Sequence, residues 1–147
     1  MRVSLSADEL TGVAGELAGA LGARGATVRA HGALAPSEPS SWAAASIAVA
    51  REVAAGDADL GVVCCWTGTG ASIAANKVAG VRAALCADAA TARGARRWND
   101  ANVLALSLRT TTAALLEEIL DAFLAPAEVD PRERASIELL ARLERGA

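Results

Sequence analysis

Cys65 ends the continuous apolar run Leu60–Cys65 and is followed at once by Trp66-Thr67-Gly68-Thr69-Gly70. Glycines at such a place let the backbone approach a ligand closely. A helix starting there directs free N–H groups at anionic oxygens and favours a thiolate beside it. A thiolate so placed can take a proton from a carbon next to a carbonyl, and the loop amides can hold the oxyanion that results. The same cysteine can equally be a small core residue. Cys64 and Cys86 fit that plainer role better, since both lie inside apolar runs. His31, the chain's one histidine, reads as structural.

The elements that must hold Cys65 alternate along the chain. The pattern predicts strands at Arg2–Ser6, Thr27–Ala30, Leu60–Cys65, Val81–Cys86 and Asn102–Ser107. Helices are expected from Asp8, as a cap, to about 23, over 42–55, through Asn76, over 88–97, over 111–124 and over 131–145. Gly32, Pro36 and Pro39 mark a loop over 32–41. This alternation implies an α/β fold: a three-layer α/β/α, Rossmann-like domain on a five-stranded parallel sheet, spanning 1–147. In such sheets ligands sit outside the carboxyl ends of the strands, near Ala7–Glu9, Cys65–Gly70, Ala87–Asp88 and Ser107–Arg109.

Composition agrees. The 147 residues are 53% hydrophobic and 21% charged, which suits one sizeable core and argues against disorder. Only 3% are aromatic, so Ala, Val, Leu and Ile must build a core in which helices approach the sheet closely. A net charge of −3 gives no basic footprint for nucleic acid. No stretch has the length and apolarity of a membrane span or a signal peptide. Three cysteines, an odd count, argue against a disulfide framework and point to a reducing, cytoplasmic setting.

The segment becomes more specific as it continues. Gly61-Val62-Val63-Cys64-Cys65-Trp66-Thr67-Gly68-Thr69-Gly70 runs into Ala71-Ser72-Ile73-Ala74-Ala75-Asn76-Lys77, and Asn99-Asp100-Ala101-Asn102-Val103-Leu104-Ala105 and Arg109 follow. These runs strongly resemble the ribose-5-phosphate isomerase B and galactose-6-phosphate isomerase family, tightly over 61–124 and loosely elsewhere. The resemblance implies aldose–ketose isomerisation without a metal or organic cofactor. It also implies a homodimer, or such dimers paired as a tetramer, with sites at the subunit interface and the last helix packed on the partner. By that resemblance Cys65 is the base moving a proton between C1 and C2, and Thr67 with the amides through Gly70 steadies the enediolate. Asp8 matches an aspartate that binds substrate hydroxyls, and Asn99 a substrate-contacting asparagine. Arg109 and Arg132 match arginines that bind the substrate phosphate in the partner's site. Some members use a glutamate base where Thr69 stands, which leaves Cys65 as the base on offer.

The departures gather in the pocket. Glu9 stands where a phosphate-binding histidine is expected, and Trp98 where a histidine opens the furanose ring. Trp42 replaces a tyrosine, Trp66 a glycine, and Ser136 a second phosphate-binding arginine. All three tryptophans therefore map to the mouth of one pocket. Indole is no acid for ring opening, so ribose 5-phosphate is poorly served. A tetrose 4-phosphate cannot close a furanose through its blocked O4, and it fits a smaller pocket. The leading reading is an isomerase with an altered, shorter open-chain substrate. The alternatives are the same fold with a less polar ligand, or a non-catalytic binding protein.

Overall fold

The computed structural model describes residues 1–146, leaving out Ala147 at the end of the expected domain. Its strands are β1 (Arg2–Ala7), β2 (Thr27–Gly32), β3 (Leu60–Cys65), β4 (Ala83–Leu85) and β5 (Val103–Ser107). All pair in parallel, in the order β2-β1-β3-β5-β4. Every residue of β3 and β5 is buried, as continuous apolar runs require when helices cover both faces. The helices are α1 (Leu17–Ala23), α2 (Trp42–Ala55), α3 (Thr69–Ala75), α4 (Ala89–Asn99), α5 (Ala113–Leu124) and α6 (Arg134–Glu144). One core joins α1, α4 and α5 to the sheet around Phe123, Leu5, Val62 and Leu104. A second, smaller core sets Val49 and Ala50 of α2 and Ala71 and Ala75 of α3 against Val63, Cys65 and Val103. The three layers match the expected architecture.

Small side chains permit the close approach inferred from composition. A Cβ on Gly61 would stand 2.7 Å from Val49 Cγ1 and 3.1 Å from Val103 Cγ2, so α2 rests directly on β3. The helices that feed the site are capped by short polar side chains. Ser41 Oγ accepts from the Ala44 N–H, Asp88 from Thr91 and Thr112 from Leu115. Gly56, in the left-handed region at φ 79°, ends α2 as expected.

Several sequence expectations need correction. Asp8 does not cap a helix: Asp8–Leu10 bend away from β1, a 3-10 turn covers Gly12–Glu16, and α1 begins only at Leu17. Gly12 is the physical reason. It sits at φ +52°, where an added Cβ would meet the Leu108 carbonyl oxygen, so the chain hugs the end of β5 before it can coil. β2 runs on to Gly32 and includes His31, which pairs with Ser6. β4 is three residues long rather than six. The backbone of its lead-in is taken by side chains: Asn102 Oδ1 accepts from Arg82 N–H, and Asn76 Oδ1 from Ala83 N–H. Cys86 falls just past that strand, buried. α4 extends to Asn99, so Trp98 is helical. The last segment opens with a 3-10 turn at Pro131–Glu133 before α6.

Candidate active site

The strand order reverses at β1. The chain goes one way to β2 and the other way to β3, which opens a crevice between the carboxyl ends of β1 and β3. Asp8 and Glu9 leave β1 there, and Cys65 through Gly70 leave β3. Ala7 is level with Cys64, so Asp8 follows beside Cys65.

Cys65 is 5% exposed and accepts a hydrogen bond at its Sγ from the Ala71 N–H, 3.4 Å away. The loop above it is held from β5. The N–H groups of Leu108 and Arg109 donate to the carbonyls of Cys65 and Trp66, and Ser107 Oγ donates to the same Trp66 carbonyl at 2.9 Å. Gly68 makes the turn at φ +75°, and its missing Cβ would lie 2.9 Å from the Leu106 carbonyl carbon and 2.5 Å from Leu85 Cδ1. The Thr67 and Thr69 hydroxyls are 2.8 Å apart. Among the described residues, the N–H groups of Thr67, Gly68, Thr69 and Gly70 donate to no protein atom. The loop thus presents unused donors beside a sulfur, the arrangement an oxyanion needs.

Charge at this end is mixed. Burial pushes the Asp8 carboxyl above its usual range and Glu9 adds to the effect, against hydrogen bonds from the local backbone. Arg109, tied to the loop by its N–H on the Trp66 carbonyl, has its side chain exposed. Burial drives the Cys64 thiol far up, while Cys86 is pushed up to about 11, again mainly by burial. Neither is suited to act as a base. Among the described residues no three His, Cys, Asp or Glu side chains gather as metal ligands would.

The tryptophans divide. Trp42 opens α2 and lays its ring against Gly70, where a Cβ would come within 2.9 Å of Cε3. Trp66 projects from the loop, 48% exposed. Trp98 lies elsewhere: α4 runs back toward the amino ends of the strands, and its ring folds over Gly94. There it lines a groove of about 760 Å³ with Arg82, Asn99, Leu140 and Leu143. Asn99 and Arg132 share that end, because the Asp130 N–H donates to the Arg97 carbonyl and Arg132 grips Asp130 at 2.7 and 3.1 Å. That guanidinium holds the Asp130 carboxyl well below the usual carboxylate range. One chain therefore brings Asp8, Glu9, Trp42, Cys65–Gly70 and Arg109 together, and sets Trp98, Asn99 and Arg132 at the opposite end of the sheet. Among the described residues of one chain, the three tryptophans do not meet at one pocket.

Residues 5–140 match the family model described as Ribose/Galactose Isomerase. The chain belongs to this family. It is 53% identical over 77 residues to galactose-6-phosphate isomerase subunit LacB of Clostridium acetobutylicum, covering 52% of this chain and 44% of that one. It is 42% identical over 76 residues to D-erythrulose-4-phosphate isomerase of Pectobacterium atrosepticum, covering 52% and 50%. These matches span about half the length of each relative. The solved ribose-5-phosphate isomerase B of Clostridium thermocellum superposes with a TM-score of 0.89 at 34% identity, over 99% of both chains. No helix among the described residues is long and apolar enough to cross a membrane.

Within this family frame, two runs that carried the resemblance prove partly structural. Asn76 pairs both its amide groups with the Ala83 backbone, and Asn102 pairs with Arg82 and Gly80. Both clip the short edge strand in place. Ser107, which ties the Cys65 loop to β5, was missed as an individual residue. Its signal was a polar side chain ending an apolar run.

Proposed function

We propose that this chain is an aldose–ketose isomerase of sugar phosphates, with Cys65 as the base and a substrate shorter than ribose 5-phosphate. The observation that carries the reading is Cys65 Sγ at the carboxyl end of β3, below a loop with four unused backbone donors and beside Asp8. As a thiolate, Cys65 takes the proton from C2 of the open-chain aldose. The electron pair moves into the C1–C2 bond, and charge develops on O1. The amides of Thr67–Gly70 and the Thr67 hydroxyl hold that enediolate. The proton returns from Cys65 to C1, the hydroxyl proton shifts from O2 to O1, and the carbonyl closes at C2. Nothing outside the substrate is oxidised or reduced. Asp8 orients the substrate hydroxyls.

The split between the two ends of the sheet favours a site completed by a second copy. Asp8 and Glu9 offer a phosphate only repulsion, and among the described residues Arg109 is a cation whose backbone is tied to the loop. Arg132, with Asn99 and Trp98, then comes from the partner. α6 supports this: it buries none of its residues, and Leu139, Leu140 and Leu143 are 49–70% exposed. We read α6 as packing on the partner in a homodimer and the setting as cytoplasmic, in keeping with three free thiols.

The shorter substrate rests on Trp98 in place of an imidazole and agrees with the name of the Pectobacterium relative. A second reading, a flatter and less polar ligand, is favoured by the half-exposed rings of Trp42 and Trp66. A screen of three- to six-carbon sugar phosphates and their unphosphorylated analogues, with Cys65→Ala as control, separates the two. Turnover confined to phosphorylated sugars of three or four carbons supports the first, turnover of ribose 5-phosphate as the preferred substrate contradicts its short-substrate part, and indifference to the phosphate supports the second.

A further inference from the structure

Beneath α2, the part of the sheet face supplied by β1 and β2 is polar, beside the apolar part supplied by β3. In β1, Val3, Leu5 and Ala7 point into the larger core, so Ser4 and Ser6 alternate toward α2, and Asp8 follows two residues after Ser6, just past the end of the strand. Ser4 and Ser6 are fully buried, and Ser6 is level with His31 on β2 and Val63 on β3. Ser46 adds a fully buried hydroxyl from α2 above them.

At the far end this strip is well anchored. Glu52 Oε2 accepts from Ser4 Oγ at 2.7 Å, and Glu52 Oε1 lies 3.0 Å from Arg29 Nη1. His31, 5% exposed, sets Nδ1 2.8 Å from Glu38 Oε2. Its Nε2 lies 3.2 Å from Glu52 Oε2 without the alignment of a hydrogen bond. Burial raises Glu52, but Ser4, His31 and Arg29 outweigh it and hold the carboxyl below its usual range.

Toward the active site the strip is unsatisfied. Among the described residues five buried side-chain polar atoms lack a partner: Ser6 Oγ, Ser46 Oγ, His31 Nε2, Asp8 Oδ1 and, apart from these, Arg96 Nε. The first three lie under α2, and Asp8 stands just past the end of the strand that carries Ser6. Buried polar groups are paired with protein or with internal water, and a site offering several polar atoms holds water where an apolar cavity stays dry.

We infer that Ser6, Ser46 and His31 hold the Asp8 carboxylate through a buried, water-bridged hydrogen-bond chain under α2, anchored on Glu52. Ser6 and Ser46 are thereby positioning residues for Asp8, and Asp8 reaches the substrate. The bearing on catalysis rests on the reading of Asp8 given above; the chain itself does not.

The test reads Asp8 directly. Its 13Cγ resonance is titrated in the wild type, Ser6→Ala and Ser46→Ala, two variants so that loss of folding in one leaves the other. Glu9, Cys64 and Cys65 stand near Asp8, unchanged in all three. Donors to a carboxylate favour its charged form, so either variant moves the Asp8 midpoint upward by about half a pH unit or more. A high-resolution crystal structure then shows ordered water within hydrogen-bonding distance of Ser6 Oγ or Ser46 Oγ and of Asp8 Oδ1. Unmoved midpoints in folded variants, or a dry layer, overturn the inference. Asp8→Asn separates the two readings. If it isomerises erythrose 4-phosphate normally while Ser6→Ala still moves the titration of Asp8, the catalytic reading falls and the chain stands.

Discussion

The Ala71 N–H donates to Cys65 Sγ over 3.4 Å, which fixes the sulfur beneath the first turn of α3, within the smaller core. β5 holds the intervening loop through two backbone bonds and Ser107. Cys65 and the free backbone donors above it are therefore set by one connection.

Gly68 is the tightest point of that connection. Gly68→Ala forces a side chain into the left-handed region and against the Leu106 backbone. It is expected to destabilise the fold by about 1–3 kcal/mol and to lower activity further by displacing the loop. Thermal unfolding with kcat measured on the folded fraction checks both.

The split of the site predicts complementation. Cys65→Ala and Arg132→Ala subunits are each expected to be nearly inactive as pure dimers. Dimers mixed after unfolding and refolding contain one site with both residues intact. Activity recovered on mixing checks this, and a mixture as inactive as its components contradicts a shared site.

Substrate length is tested at Trp98. The wild type is expected to favour erythrose 4-phosphate over ribose 5-phosphate. Trp98→His supplies an acid for ring opening and is expected to narrow that preference by raising turnover of ribose 5-phosphate. Paired kcat/KM measurements read the ratio.

Acid stability depends on Asp59, which hydrogen bonds from the Arg2 side chain and backbone hold down to about 2. A carboxylate depressed in the folded state stabilises it above the unfolded value of about 3.9, and that support fades as pH falls through about 2. Asp59→Asn is expected to lower Tm near neutrality and to flatten its fall between about pH 4 and pH 2. The effect is small because the pair is exposed. Tm measured against pH checks it.

Much of this was legible in the sequence, for physical reasons. Leu60–Cys65 is a continuous apolar run and reads as a strand covered on both sides, and Gly56 marks the stop of α2. The start of α1 was not legible. It is set by the contact of Gly12 with the Leu108 backbone, which joins residues far apart in the chain. Likewise, the short β4 reflects side chains of Asn76 and Asn102 that reach the edge strand only once folded. The family motifs singled out the candidate site residues. Their division between two ends of one chain needed the sheet order, since α4 carries Trp98 and Asn99 back to the amino ends of the strands. The polar strip under α2 had a visible sign in Ser4 and Ser6 alternating with Val3 and Leu5, but its partners on β2 and α2 did not.

The central claim is that Cys65 moves a proton at C2. With erythrose 4-phosphate in D2O, NMR follows deuterium entering the C1 and C2 positions. The wild type is expected to exchange and isomerise, and Cys65→Ala to lose both by about 10²–10⁴-fold while keeping its fold. Exchange at the wild-type rate in folded Cys65→Ala would contradict the account.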